Sequence, residues 1–318
     1  MDAFVAEHLH GVSRTYALLV PMLPRPLDDA VGVAYLLMRV VDTLEDAAGL
    51  ATAERLRRLR LLEHALAAPV GVAEADGLLR EPIGDTPAER ALMAAVPEVL
   101  ARVRALPAPY REPLARCAGV MSAGVAHLTA RSLERGRPYP AIRDAAELRE
   151  YCYYVAGVVG EMLCAMMSHF LRMPSLLRLR DVAVELGTGL QLVNVLKDAL
   201  RDAEAGRRYL PAAEDGGVAH AEIYRAVVQE ARYSLQRGVE FVLALPAAAR
   251  ELRSFCGLPI VWGAMTLAKA ETNAAAAKIS RGAVQATIEL FRKVAGDDAQ
   301  LRCWLHGLLW PRGQPATA

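Results

Sequence analysis

The chain has 318 residues, of which 54% are hydrophobic and only 6% aromatic, and its formal net charge is +1. A charge this close to zero excludes the broad basic field by which proteins bind nucleic acids, so no nucleic-acid partner is expected. The length suffices for one large domain or two ordinary ones. The apolar excess, mostly Ala, Leu and Val, predicts an all-helical protein with a wide buried core or an apolar cavity.

Nearly every stretch predicts helix, because Ala, Leu, Arg and Glu dominate and β-branched alternation is scarce. Clusters of Gly and Pro predict breaks at residues 21–26, 69–87, 136–140, 206–217 and 257–259. In chain order, the predicted helices are Asp2–Leu19, Leu27–Ala47, Ala51–Ala67, Ala88–Leu106, Tyr110–Glu134, Ala145–Leu171, Leu176–Ala205, His220–Leu243, Ala247–Phe255, Pro259–Ile279, Arg281–Val294 and Gln300–Leu309.

The first candidate site is Asp42-Thr43-Leu44-Glu45-Asp46, which ends an apolar helical run. Positions four apart lie on one helix face, where like charges repel. Acids near a helix C-terminus also oppose the helix dipole. Arg39 precedes Asp42 by three residues and shares that face. This pattern favours a bound cation over ordinary surface acids.

The second candidate site repeats the spacing with Asp198 and Asp202, at the end of a polar stripe that includes Gln191 and Asn194. A solvated face is the alternative interpretation, and Lys197 beside the stripe could bind phosphate or be solvated. Gly206-Arg207-Arg208 follows, and guanidinium groups bind phosphate oxygens bidentately. Exposed arginine–aspartate pairing at a helix end is the plainer alternative.

Two such acidic faces predict Mg²⁺, which prefers oxygen ligands and completes its shell with waters and substrate phosphates. Facing each other, they would bind a diphosphate. The acidic faces lie on opposite sides of the irregular stretch 69–87, so we interpret this stretch as a surface loop and residues 1–318 as one domain.

The remaining features predict a reduced, cytoplasmic protein. The five cysteines show no metal or disulfide spacing, which predicts buried thiols, and the N-terminus does not resemble a signal peptide. Residues 151–171 are long enough to span a membrane, but Glu161 in their middle favours a core helix. The alternative to a purely cytoplasmic location is a peripheral contact with the inner membrane, near residues 304–310.

The order of several motifs resembles the squalene synthases, within the head-to-head trans-isoprenyl synthase superfamily that includes the phytoene synthases. Ser13-Arg14-Thr15-Tyr16 is similar to the family's Ser-Arg-Ser-Phe motif, and residues 35–46 are similar to its first aspartate-rich helix. Residues 151–160 resemble its Tyr-Cys-His-Tyr-Val-Ala-Gly-Leu-Val-Gly segment, with Tyr153 in place of histidine. Residues 191–211 resemble the second aspartate-rich helix with its basic exit. Phe255-Cys256-Gly257-Leu258-Pro259 resembles a segment associated with squalene synthases rather than phytoene synthases.

The resemblance implies an isoprenoid synthase helical bundle around a central apolar cavity. It also implies that two farnesyl diphosphates are joined through presqualene diphosphate and that NADPH then reduces the product to squalene. Mg²⁺, with Mn²⁺ as an alternative, would be held by Asp42, Glu45, Asp46, Asp198 and Asp202. The other implied site residues are Tyr154 and Tyr35, which with the four aspartates are catalytic; Ser13, Arg14, Tyr16, Arg39, Gln191, Lys197 and Arg207, which bind substrate; and Asn194, Lys278 and Arg281, which bind the cofactor.

Two kinds of alternative stay open at this point. The same fold could release presqualene diphosphate, dehydrosqualene or another non-reduced product. A protein of a different class, a non-catalytic isoprenoid binder, could use the same apolar cavity. The expected oligomeric state is a monomer or a weak homodimer, and a peripheral membrane contact would serve product release. Ser280 stands where the family has a basic residue, which leaves Lys278 and Arg281 as the cations of the cofactor segment.

Overall fold

The computed structural model describes residues 1–47, 49–67, 82–137, 140–211, 218–272 and 279–311. In these ranges the regular structure is helical, apart from one parallel β-bridge between Ala141 and Arg208. The predicted all-α fold class is therefore confirmed. Most of the predicted surface loop 69–87 lies outside the described residues, and so does Lys278.

The described residues form fourteen α-helices. In chain order they are α1 (Ala3–Val12), α2 (Tyr16–Leu19), α3 (Leu27–Asp46), α4 (Thr52–Ala67), α5 (Pro87–Ala94), α6 (Val96–Ala105), α7 (Ala108–Glu134), α8 (Ala145–Cys152), α9 (Val158–Phe170), α10 (Arg180–Glu204), α11 (Val218–Ala244), α12 (Arg250–Thr272), α13 (Arg281–Val294) and α14 (Asp298–Leu309).

The chain divides into two compact units. Unit 1 consists of Met1–Arg131 and Glu161–Leu177, and unit 2 consists of Ser132–Gly160 and the chain from Arg178 onward. That residues 1–318 form a single domain stays a prediction.

Helix α3 is the central element of unit 1. Fifteen of its 20 residues are buried, and it packs against α1, α4, α5 and α6. Burial on this scale follows from the apolar residues that recur on nearly every side of the helix. The first aspartate pair therefore stands at the end of a helix that its surroundings hold firmly.

Helix α10 has the corresponding place in unit 2, where it packs against α11, α12 and a π-helical turn, Tyr153–Gly157. The backbone of α10 lies unusually close to the segment around this turn. A Cβ added at Gly187 of α10 would lie 2.2 Å from the Ala156 carbonyl oxygen, and one added at Gly160 would lie 2.0 Å from that of Ala183. Glycine at these two positions allows the backbones to touch, which sets the position of Tyr154 in the turn.

Two helices that were predicted to be continuous are interrupted in the structure. The predicted helix Asp2–Leu19 is interrupted after α1, because the Ser13 hydroxyl accepts the Tyr16 backbone N–H at 3.0 Å and starts a new short helix there. The predicted helix Ala145–Leu171 is interrupted by the π turn. Both interruptions fall on predicted site residues, and π turns often occur at functional sites.

The predicted break at residues 257–259 is also wrong. Helix α12 runs through Gly257 and Pro259 without ending. Proline inside a helix costs about 3 kcal/mol, but Phe255, Leu258 and Ile260 around it are buried. Gly257 has a packing reason as well, since an added Cβ would lie 2.2 Å from the Phe291 ring. Tertiary packing here overrides the local preference.

Among the described residues, Ala145–Phe170 is the stretch long and apolar enough to cross a membrane by length and composition. Its most apolar window is 56% buried inside the protein, and core helices pass the same test. Glu161 within it is buried and lies 3.1 Å from the guanidinium of Arg116. These observations support the predicted core helix.

Four cysteines are buried, as predicted, and burial raises the pKa of the Cys117 and Cys152 thiols. The prediction is wrong for Cys303, which is exposed on α14. All five thiols are free.

The buried side chain of Arg253 links several elements of unit 2. Its side chain is 1% exposed, and its guanidinium donates to the carbonyls of Leu243, Leu245 and Ala295 at 2.6–3.2 Å. Asp298 lies 2.7 Å from it. The residue thereby joins the end of α11 and the start of α12 to the loop before α14.

We expect Arg253→Met to lower the free energy of unfolding by about 3 kcal/mol or more, because it leaves buried carbonyls unsatisfied. Urea unfolding followed by circular dichroism measures this. The matched control is Arg225→Met on α11, whose exposed guanidinium has a backbone bond to Ala221; it should change the value by less than about 0.5 kcal/mol. Equal midpoints for the two variants would contradict this linking role.

Candidate functional site

The first aspartate pair lies at the C-terminal end of α3. The Asp42 side chain keeps 37% of its surface exposed, Asp46 is half-buried, and Glu45 is buried. Burial among surrounding protein atoms raises the pKa of the Asp42 carboxyl to about 7; Arg39 opposes this rise, and the carboxylates of Asp46 and Glu89 add to it. Negative charge is therefore crowded here, and a cation would relieve the crowding.

Arg39 lies between two acids. Its Nη1 is 3.9 Å from Asp42 Oδ2, and its Nη2 donates to Glu89 Oε1 on α5. Glu89 was missed in the sequence, although Thr86-Pro87-Ala88-Glu89 has the pattern of a helix-capping box. The structure contains that box: Glu89 N–H donates to the Thr86 hydroxyl at 3.2 Å, and Thr86 N–H donates to Glu89 Oε2 at 3.0 Å.

Arg55 is a second residue that the sequence did not reveal. Its buried guanidinium donates from Nε to the Leu44 carbonyl at 3.0 Å and from Nη2 to the Ala47 carbonyl at 3.1 Å. These are terminal carbonyls of α3, which a cation stabilises. Arg55 thereby offsets the unfavourable placement of acids at this helix end.

Two residues of the predicted substrate-binding segment, Ser13 and Tyr16, contact the predicted catalytic residue Tyr35 on α3. The ring centroids of Tyr16 and Tyr35 are 5.0 Å apart, and the side chains of Ser13 and Tyr35 share a hydrogen bond. Burial raises the pKa of the Tyr35 phenol, which keeps it protonated. Arg14, predicted to bind substrate, is exposed at the break between α1 and α2.

The second aspartate pair lies near the C-terminal end of α10. Asp198 is 23% exposed and has two cations nearby: Lys197 Nζ at 3.3 Å and Arg201 Nη2 at 3.4 Å. Lys197 also donates to the Asn194 amide oxygen at 3.1 Å. Lys197 thus connects two residues of the predicted stripe, Asn194 and Asp198.

Asp202 is buried and is held by Arg207, whose Nη2 donates to Asp202 Oδ1 at 3.0 Å. Gly206 produces this contact, because its φ of +76° turns the chain back over the helix end. The Arg207 N–H then donates to the Asp202 carbonyl at 2.7 Å, and Arg208 pairs with Ala141 in the β-bridge. Backbone hydrogen bonds therefore hold the basic segment Gly206-Arg207-Arg208 in place after the second aspartate pair.

The predicted catalytic tyrosine, Tyr154, lies in the π turn, where its phenol donates to Glu150 Oε1 at 3.2 Å. Tyr151, one turn earlier, accepts a hydrogen bond from the Gln191 amide at 3.3 Å and packs on Tyr209, with ring centroids 4.9 Å apart. Gln191 is thus placed by a residue of the neighbouring helix.

Asn194 and Arg281, the predicted cofactor residues that the structure describes, share no hydrogen bond or ion pair. Asn194 is exposed and bonds Lys197, while Arg281 is exposed in the first turn of α13. Lys278 lies outside the described residues. Ser280 has a structural role, since its hydroxyl accepts the Ala283 N–H at 3.2 Å and caps α13. The NADPH assignment of this segment stays a prediction.

The donor chemistry of both pairs fits Mg²⁺, since each offers carboxylate oxygens, the ligands that this ion prefers. In the described part of the chain, no three His, Cys, Asp or Glu side chains gather closely enough to hold a metal by themselves. Waters and phosphate oxygens would have to complete each shell, which is the usual arrangement for Mg²⁺. Glu45 as a ligand stays a prediction.

The aspartate pairs belong to different units, Asp42 and Asp46 to unit 1 and Asp198 and Asp202 to unit 2. Their joint action on one pair of substrates, and the central cavity that the resemblance implies, stay predictions.

The sequence profile of the squalene/phytoene synthase family matches residues 9–288, and the chain belongs to this family. The squalene synthase of Schizosaccharomyces pombe is 27% identical over 204 residues, 64% of this chain and 42% of that protein. The 15-cis-phytoene synthase of Enterobacter agglomerans is 51% identical over 63 residues, 20% of each chain.

The match to several fungal and algal squalene synthases spans about two fifths of their length. Among solved structures, the complex of TcSQS with the ligand BPH1237 superimposes with a TM-score of 0.80, at 22% identity, over 99% of this chain and 93% of that one. This likeness shows the fold.

Proposed function

We propose that this chain is an Mg²⁺-dependent squalene synthase, which joins two farnesyl diphosphates head to head into presqualene diphosphate and reduces that with NADPH to squalene. The observation that supports this most is that both aspartate motifs are intact, each at the end of a packed helix and each beside arginine. The squalene synthases among the relatives, which match most of the chain, support the choice within the family.

Asp42, Asp46, Asp198 and Asp202 would hold the metal. When bound, Mg²⁺ neutralises the departing diphosphate and so favours ionisation of the allylic C–O bond. The protein's own part is to present these carboxylates at the ends of packed helices, and the cations beside them are suited to bind the diphosphate oxygens. Arg39 and Arg207 offer planar guanidinium groups, and Lys197 a point charge.

Tyr154 is proposed to take part in proton removal. Closing the cyclopropane ring of presqualene diphosphate requires that a carbon gives up one proton while its C–H electron pair forms the new C–C bond. A phenol can accept this proton on oxygen only if its own proton leaves. The bond from Tyr154 to Glu150 offers that route, since the carboxylate can accept the phenol's proton.

Incubation with farnesyl diphosphate and Mg²⁺, followed by mass spectrometry of the lipid extract, tests the proposal. We expect squalene when NADPH is present and presqualene diphosphate when it is absent. A product spectrum that NADPH does not change would contradict the reductive step. Turnover of geranylgeranyl diphosphate in preference would instead indicate a phytoene synthase, and no pyrophosphate release from either substrate would indicate a binding protein.

A further inference from the structure

The Arg39 guanidinium has two acidic neighbours that compete for it. Asp42 lies three residues along the same helix, at 3.9 Å, which is beyond hydrogen-bonding distance. Glu89 lies 50 residues further along the chain, and it receives the hydrogen bond from Arg39. Arg39 is therefore bonded to the acid that is not a predicted metal ligand.

Glu89 is held in place independently of Arg39. Its Oε2 accepts the backbone N–H groups of Thr86 at 3.0 Å and Asp85 at 3.1 Å, so it stands at the N-terminus of α5, where the helix dipole favours an anion. Its side chain is only 13% exposed. Gly84 closes the loop against it: an added Cβ there would lie 2.6 Å from Glu89 Cβ and 3.3 Å from Thr43 Cγ2 on α3.

We propose that Glu89 is a positioning residue that holds Arg39 away from Asp42. When Glu89 is replaced by an uncharged residue, Asp42 becomes the strongest acceptor within reach of Arg39, because an i, i+3 pair on a helix can close into an ion pair. The guanidinium then competes with the metal for the Asp42 carboxylate. This inference rests on the metal site of the proposed function.

The test is direct binding of Mn²⁺ in the presence of inorganic pyrophosphate, with free Mn²⁺ counted by electron paramagnetic resonance. Glu89→Gln keeps an oxygen that can accept the Thr86 N–H, so α5 stays capped. We expect it to weaken Mn²⁺ binding about 3- to 5-fold, the upper part of the range that one ion pair of this kind can account for.

The chain offers a matched control in Glu147→Gln. Like Glu89, Glu147 lies in the first turn of a helix and bonds to the residues just before it. Its N–H donates to Asp144 at 2.9 Å, and its Oε2 accepts the Arg143 N–H at 2.8 Å, at the start of α8. It also pairs with an arginine, Arg135, at 3.0 Å. We expect wild-type Mn²⁺ affinity for this variant, and thermal melts of both variants check that they are folded.

A double-mutant cycle separates positioning from a direct charge effect of Glu89 on the metal. In an Arg39→Gln background, adding Glu89→Gln should change Mn²⁺ affinity by less than about twofold. Additive losses, or wild-type binding by Glu89→Gln alone, would overturn the inference. Failure of the wild type to bind Mn²⁺ would overturn the proposed metal site as well, whereas binding without prenyl coupling would overturn only the proposed function.

Discussion

Asp42→Asn is expected to reduce turnover of farnesyl diphosphate by about 10³-fold or more, because it removes a carboxylate from the proposed metal shell. The same loss is expected for Asp198→Asn. Each change keeps the size of the side chain, so the effect reports on charge and metal binding. The measurement is pyrophosphate release at saturating Mg²⁺.

The metal-free stability of Asp42→Asn should not fall. Folding raises the pKa of Asp42 from 3.8 to about 7, so ionising this carboxyl costs stability as the pH rises through that window, and the full cost is present above it. Asn never ionises, and we therefore expect a melting temperature at pH 8, in EDTA, equal to or above that of the wild type. Loss of activity without loss of stability is typical of a functional site.

The control for both variants is Asp181→Asn. Asp181 is on α10 with Asp198, but its side chain is 96% exposed, and we expect near wild-type turnover. Near wild-type activity in Asp42→Asn would show that the metal assignment is wrong. If only one of Asp42→Asn and Asp198→Asn were inactive, the joint action of the two pairs would be refuted.

Gly187→Ala is expected to destabilise the protein by about 3 kcal/mol, since overpacking that no side chain can relieve has costs of this size. The added Cβ would lie 2.2 Å from the Ala156 carbonyl oxygen and 2.7 Å from its carbon, both backbone atoms. The π turn would have to move away from α10 and take Tyr154 with it. The rate of presqualene diphosphate formation should therefore fall even under conditions in which the variant is folded.

Gly119→Ala provides the matched control. Gly119 is inside α7, and nothing lies within 4 Å of an added Cβ. Alanine favours helix over glycine by up to about 1 kcal/mol, so this variant should be slightly more stable than the wild type. Urea midpoints measured on both variants should move in opposite directions. If the urea midpoints of both variants shifted with the same sign and size, the close approach of α10 to the π turn would be contradicted.

The glycine pair shows where sequence reasoning stopped. The sequence contains Gly160 and Gly187, but which backbones meet there depends on how α10 lies against the π turn. The turn itself was not predicted, because its composition is that of an ordinary helix. The continuity of α12 through Pro259 was missed for a different reason: burial of the neighbouring residues outweighs the local preference that would end the helix.

The sequence by itself determined the helical class and the two acidic motifs. Spacing of four residues after an apolar run is a property of the local chain, and a helix converts it directly into a shared face. The turn at Gly206 belongs here too, since it needs only a residue that tolerates positive φ, and the short reach back to Asp202 follows. These features depend on neighbours within about two turns.

Only the tertiary structure decided which distant charges accompany the first motif. Arg39 shares a helix face with Asp42, yet its hydrogen-bonded partner is Glu89, 50 residues away, and the carbonyls at the end of α3 are held by Arg55. Such pairings depend on which helices pack together, and packing is set by apolar surface that carries no information about a particular ion pair. The site's acids and the local cations beside Asp198 and Asp202 could thus be found from the chain alone, and the partners that α3 has on other helices could not.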